Sequence, residues 1–164
     1  MHAKRNNPAV ERQERELLIA RVFDAPRALV FKAWTERDHI LHWLAPRGFT
    51  VTFAEGDVRP GGRWRSGIRK PDGTELWVGG VYHEVIENER LVFTHAWDNP
   101  DGKRGHETLV TVSFAEQNGK TRLTFHQAPF ESVANRDGHR GGWGECFDIL
   151  AEYLAEISKC GAKK

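Results

Sequence analysis

Hydrophobic and polar positions along this chain follow two periods, and each change of period marks an element boundary. Residues 17–23 alternate, with Leu17, Ile19, Arg21 and Phe23 set against Leu18, Ala20 and Val22. Both sets are largely apolar, which predicts a strand covered on both faces. Asp24-Ala25-Pro26 then reads as a helix start, with Asp24 as N-cap and Pro26 in the first turn. Ala28, Val30, Phe31 and Trp34 follow at helical spacing, and Thr35 to Asp38 opens a second short helix bearing Ile40, Leu41, Trp43 and Leu44. From Phe49 to Gln127 the period drops from about 3.6 to 2. Six strands are predicted there, at 49–54, 62–69, 74–86, 90–97, 107–116 and 120–127, separated by turn sequences such as Lys70-Pro71-Asp72-Gly73 and Gln117-Asn118-Gly119. Helical spacing returns after Pro129. Over 138–159 it places Trp143, Cys146, Phe147, Leu150, Tyr153, Leu154 and Ile157 on one stripe, the width of a helix lying on a sheet.

An antiparallel run of strands followed by a terminal helix predicts an α+β architecture. A sheet of about seven twisted strands curls. One long helix across its concave side leaves a hollow, which large side chains must fill or a ligand can occupy. The expected arrangement is a curved antiparallel sheet, two short helices and one long C-terminal helix enclosing a cavity. Residues 16–160 are read as one domain, after a polar segment over 1–15 that is expected to fray.

Composition narrows the partners. The 164 residues carry 24 basic and 23 acidic side chains, a net charge of +1, so no global field favours nucleic acid. No apolar run approaches the roughly 18–20 residues of a membrane span. The first residues hold no apolar stretch of the kind a secretion signal needs. If Cys146 and Cys160 share the last helix, they lie about 21 Å apart, beyond the roughly 4.4–6.8 Å that a disulfide bridges. A cytoplasmic protein is the expectation. Six Trp and nine Phe beside only two Tyr mark an unusually aromatic interior.

The segments RVFDAPRALVFKAWTERDHILHWLAPRGF, DVRPGGRWR, PDGTELWVGGVYHEVIENERLVFTHAW, ETLVTVSFAEQNGKTRLTFHQ and GHRGGWGECFDILAEYL carry a family resemblance. Running in register from about Leu17 to Leu154, the chain resembles the START-like, Bet v 1-like superfamily of helix-grip proteins. Within it, the chain is similar to the subfamily named after the ATPase-activator domain of the ninety-kilodalton heat-shock chaperone. The resemblance implies the helix-grip fold and an apolar pocket between sheet and helix. Members of the superfamily use such pockets to bind lipids or plant metabolites, to cyclise polyketides or to sequester toxic natural products. The eukaryotic chaperone activator carries a further N-terminal domain, whereas about fifteen polar residues precede the first strand here, so a co-chaperone role is not the expectation.

Candidate ligand-binding residues are Trp34, Trp43, Trp64, Trp77, Phe93, His95, Phe125, Gln127, Trp143 and Phe147. Trp34 and Trp43 on the short helices would form either an aromatic gate or a core plug. Alternation puts His95 on the face of Leu91, Phe93 and Trp97, where a polar ring inside an apolar pocket could orient a ligand or transfer a proton. Gln127 shares a face with Leu123 and Phe125. In the resembling family a His is common there, so Gln127 removes a titratable group. His39 and His42, three apart, lack the further ligands a zinc site needs, and neither metal nor cofactor is expected. The Arg59-Pro60-Gly61-Gly62 segment is hairpin chemistry, and GHRGGWG leaves space beside Trp143. Buried Cys146 is expected to behave as a small hydrophobe. Glu84 and Glu107 have no identifiable partner. The first functional reading is binding or sequestration of a hydrophobic, aromatic small molecule. A polyketide cyclase/aromatase-like enzyme using His95 is the alternative, and a chaperone- or regulator-interacting module the second. A homodimer is possible on any of them.

Overall fold

A computed structural model describes residue 10 and residues 13–162. The sheet has seven antiparallel strands: β1 (Leu17–Phe23), β2 (Thr50–Gly56), β3 (Arg63–Arg69), β4 (Glu75–Ile86), β5 (Arg90–Asp98), β6 (Arg104–Gln117) and β7 (Lys120–Ala128). Their spatial order is β1-β7-β6-β5-β4-β3-β2, a curled half-barrel with β1 and β2 at its edges. Helices α1 (Arg27–Thr35) and α2 (Arg37–Trp43) link β1 to β2, and α3 (Val133–Ala162) follows β7. This is the α+β helix-grip architecture that the periodicities predict. Most of the segment expected to fray, 1–15, lies outside the described residues.

The strands fall within a few residues of their expected ends, and three departures carry information. First, β1 is covered on one face only: Leu17 and Phe23 are sealed inward, while Leu18 is 60% exposed on the convex side. Second, α1 begins after Pro26, which supplies no side-chain cap, so Asp24 is not the cap. Third, α3 starts at Val133 rather than Gly138. Ser132 caps it, its Oγ accepting from the backbone N–H of Asn135 at 3.0 Å.

Register decides which side chains face the helix. Tyr82 pairs with Phe93, but Glu84 pairs with Val92, so His83 is the extra residue of a β-bulge. Before the bulge, Val78 and Tyr82 point into the concave side; after it, Val85 does. The two ends of β4 therefore turn residues of opposite parity inward, and Trp77 falls on the convex face. There it packs edge-on against Phe53 and beneath the Arg65 guanidinium, 4.9 Å above its ring.

Two apolar clusters result. The larger joins β1, β7, β6, β5 and α1 to the C-terminal half of α3 through Phe23, Phe114, Leu123, Phe125, Phe147, Leu150 and Leu154. The smaller, Ala45, Val51, Ile68 and Val78, lies under the loop after α2 at the β2–β4 end.

Candidate functional site

Between the two clusters lies a cavity of about 440 Å³. The inner faces of β2 to β5 form its floor, α2 and the loop to Phe49 one wall, and the first half of α3 the roof. It follows β4 from Leu76 to Tyr82, six positions, or about 20 Å at strand rise. Exposed Arg37, Glu55 and Gly56 line one end, and Phe49, Ala134 and Asn135 the other.

The roof explains the glycines of GHRGGWG. Ala134, Gly138, His139, Gly142, Trp143 and Cys146 recur at helical spacing on the face turned to the cavity. A Cβ at Gly138 would meet nothing within 4 Å, and one at Gly142 only Pro46 at 3.9 Å. Each Gly destabilises the helix by about 1 kcal/mol relative to Ala. The small residues therefore keep volume open where the rest of α3 fills it.

His95 sits at the centre, 5% exposed. Trp64, Trp97, His139 and Trp143 surround it at ring-centroid distances of 5.8, 5.7, 6.1 and 6.0 Å. Burial, reinforced by His139, pushes its pKa from 6.5 down to about 3, so the ring is neutral at ordinary pH. No side-chain hydrogen bond joins it to another of the described residues. His139 is fully engaged: its Nε2 accepts from Trp97 Nε1 at 3.1 Å, which assigns the proton to Nδ1, 2.8 Å from the Asn135 carbonyl. Nearby, Gly79 pairs with Ala96 and Tyr82 with Phe93, and the β4–β5 ladder is interrupted between those pairs. The freed Thr94 carbonyl accepts from Trp64 Nε1 at 3.0 Å, and the Val81 N–H donates to Thr94 Oγ1 at 2.8 Å. That exchange fixes Trp64 over the cavity floor.

Of the ten residues expected from sequence, Trp34, Trp43, Trp64, Phe93, His95 and Trp143 line the cavity. Trp34 and Trp43 are walls embedded in the core, 5% and 1% exposed, in contact with each other at 4.7 Å. Trp43 Nε1 donates to the Ala33 carbonyl, which pins its ring. The other four lie outside the lining of the cavity. Trp77 lies on the opposite face because of the bulge. Phe125 and Phe147 are sealed behind Trp143, at centroid distances of 4.6 and 5.8 Å. Gln127, also sealed, is a tie between layers: its Oε1 accepts from Trp143 Nε1 at 2.9 Å and its Nε2 donates to Thr108 Oγ1 at 2.8 Å. Thr108 Oγ1 in turn donates to the His95 carbonyl at 3.2 Å. Helix and three strands are thus joined behind the site.

Sequence reading missed Ser66, Tyr82, Trp97 and His139 as lining residues. The spacing of His139, four before Trp143, held the signal for one of them. Burial raises the Tyr82 phenol to about 12 and the Cys146 thiol to about 12, so neither ionises near neutrality. His39 and His42 both engage Tyr153 of α3, the first by a hydrogen bond and the second by stacking at 4.6 Å. Glu84 and Glu107 pair at the surface with Arg90 and Arg104, at 3.1 and 3.3 Å.

Comparison with known proteins adds the following. The sequence profile of the family described as Activator of Hsp90 ATPase homolog 1-like protein matches residues 24–155. Similar solved structures include a Chromobacterium violaceum protein, 23% identical over 85% of this chain and 96% of its own, with a TM-score of 0.79. Another is the AHSA1 protein of Silicibacter pomeroyi, 26% identical over 87% of this chain and 99% of its own, with a TM-score of 0.78. A third, from Nitrosomonas europaea, is 22% identical over 89% and 97%, with a TM-score of 0.76. No protein of curated function matches significantly.

Proposed function

The chain belongs to the family of Activator of Hsp90 ATPase homolog 1-like proteins, and on that premise we propose that it binds, and so sequesters, a hydrophobic aromatic small molecule between the sheet and α3. One observation carries this reading: a cavity of about 440 Å³ with predominantly apolar walls. That falls within the roughly 300–1,000 Å³ of small-molecule sites. Five Trp rings offer flat surfaces for an aromatic guest, and the glycines of α3 leave room for it.

The cyclase-like alternative would use the same cavity with His95 moving a proton. A ring whose pKa is held near 3 is a weak base, and at neutral pH it has no second proton to give. The proposal therefore assigns His95 a hydrogen-bonding role. A chaperone-docking module would present a continuous apolar patch. The exposed apolar residues instead belong to scattered elements, among them Leu18, Phe53, Ile86 and Val133.

The test is a titration of Trp fluorescence with flavonoids, polycyclic aromatics and fatty acids, paired with melting curves. The expected result is a saturable change with one chemical class, a matching rise in melting temperature, and loss of both in Gly142→Leu. A flat response to the whole panel would overturn the proposal.

A further inference from the structure

The lining of the cavity narrows the chemistry of its occupant. We propose that the ligand is an uncharged polycyclic molecule with hydroxyl or carbonyl oxygens at separated positions, held by Ser66, Tyr82 and His95. This rests on the small-molecule reading above and specifies the ligand class for the same site.

Three polar side chains stand on the cavity floor, one on each of β3, β4 and β5. Ser66, Tyr82 and His95 are 3%, 6% and 5% exposed, and all three line the open volume. None makes a side-chain hydrogen bond to another of the described residues. Nor are their polar atoms sealed away. The sealed unpartnered atoms among those residues are Trp34 Nε1 and Ser158 Oγ. Facing the open volume, these three groups are free to bond to whatever enters the cavity. A hydroxyl both donates and accepts, and a neutral imidazole offers one donor and one acceptor. The set therefore suits ligand hydroxyls and carbonyls alike.

Charge is what the lining withholds. The charged residues on it, Arg37 and Glu55, are exposed at one end and have opposite signs. Both ring nitrogens of His139 are already committed to protein partners. A carboxylate or ammonium drawn into the interior would lose its water and find no counter-charge, which is strongly unfavourable.

Register supplies the spacing. Ser66 pairs with Val78 and Val78 with Trp97, while Tyr82 pairs with Phe93. At strand rise and separation, the Cα atoms lie about 8 Å apart for Tyr82 and His95, about 12 Å for Ser66 and His95, and about 14 Å for Ser66 and Tyr82. The cavity that these three strands floor, about 20 Å along β4, is longer than a single ring. A fused-ring skeleton with oxygens at opposite ends can address two of the three groups at once.

Calorimetric titration at pH 7 with three probes on one skeleton tests this: 2,6-dihydroxynaphthalene, naphthalene-2,6-dicarboxylate and naphthalene itself. The diol is expected to bind at least about 100-fold more tightly than the dicarboxylate. Tyr82→Phe and Ser66→Ala are conservative changes expected to leave melting nearly unaltered. At least one should weaken diol binding about tenfold, the equivalent of one hydrogen bond, while naphthalene binding holds. Equal or tighter binding of the dicarboxylate would overturn the uncharged ligand and leave the small-molecule reading standing. So would equal losses for diol and naphthalene in the variants. No binding by any probe, with no shift in melting, would overturn both.

Discussion

His95 shows how strongly position governs chemistry at the scale of one residue. Its imidazole has an unfolded-state pKa of 6.5 and a folded-state value of about 3. Between those values the unfolded chain binds more protons than the folded one, so stability rises with pH and is lost as pH falls from about 6.5 toward 3. The contribution reaches about a tenfold change in the unfolding constant per pH unit. Urea unfolding of the wild type and His95→Gln between pH 4 and 7 should therefore show a flatter acid limb in the variant; parallel curves would remove His95 from the account. Cys146 makes a complementary case. With its thiol raised to about 12 by burial, it holds almost no thiolate at pH 8. Although Cys146 borders the cavity, iodoacetamide should label it far faster after unfolding, read by peptide mass spectrometry, and equally rapid labelling of the folded protein would contradict the raised thiol. Gln127 could not be assigned from sequence, because alternation gives a face and not a partner. Its bonds to Trp143 and Thr108 depend on how α3 crosses β7 and β6, which no local pattern encodes.

The elements were more legible than the residues they carry. Alternation and helical spacing are properties of short windows, so all seven strands and three helices could be read from them. Two errors had local causes. The four glycines between Gly138 and Gly144 mask a helix that Ser132 had already capped, so α3 was read as starting five residues late. The bulge at His83 inverts the parity of β4, and no pattern marked it because Trp77, Val78, Val81 and Tyr82 make both faces look apolar. The division of α3 into a cavity-facing half and a core-filling half follows from its small residues and can be tested with them. Gly142→Leu should abolish ligand binding without lowering stability, since Leu is the better helix former and its nearest neighbour is at 3.9 Å. Gly141→Ala, on the solvent side with nothing within 4 Å of its Cβ, should raise stability by about 0.5–1 kcal/mol and leave binding unchanged. If both variants lose binding, the helix has been disturbed as a whole and the cavity-filling argument fails.

Over the whole molecule, packing is lopsided, and the lopsidedness sets where a ligand can act. Among the described residues the larger cluster holds twenty-two buried members and the smaller four. The cavity lies between them, so α2 and the β2–β4 end rest on a thin core while β5, β6, β7 and the second half of α3 rest on a thick one. Local opening requires least free energy where few apolar contacts must be broken. Amides of β2 and α2 are therefore expected to exchange with deuterium well before those of β6 and β7 in the empty protein. An occupant touches both clusters, supplying the apolar surface that the smaller one lacks. At a free ligand concentration of 100 times Kd, binding adds about 2.7 kcal/mol to the stability of the bound state. Exchange should slow most in β2, α2 and the Gly138–Cys146 stretch of α3, with little change across β6 and β7 unless those open only by global unfolding. Hydrogen exchange read by mass spectrometry, with and without a saturating ligand, resolves these segments. Uniform protection would mean that the molecule opens as one unit despite its uneven core. Protection confined to β1 and the convex face would put the ligand elsewhere, because neither borders the cavity.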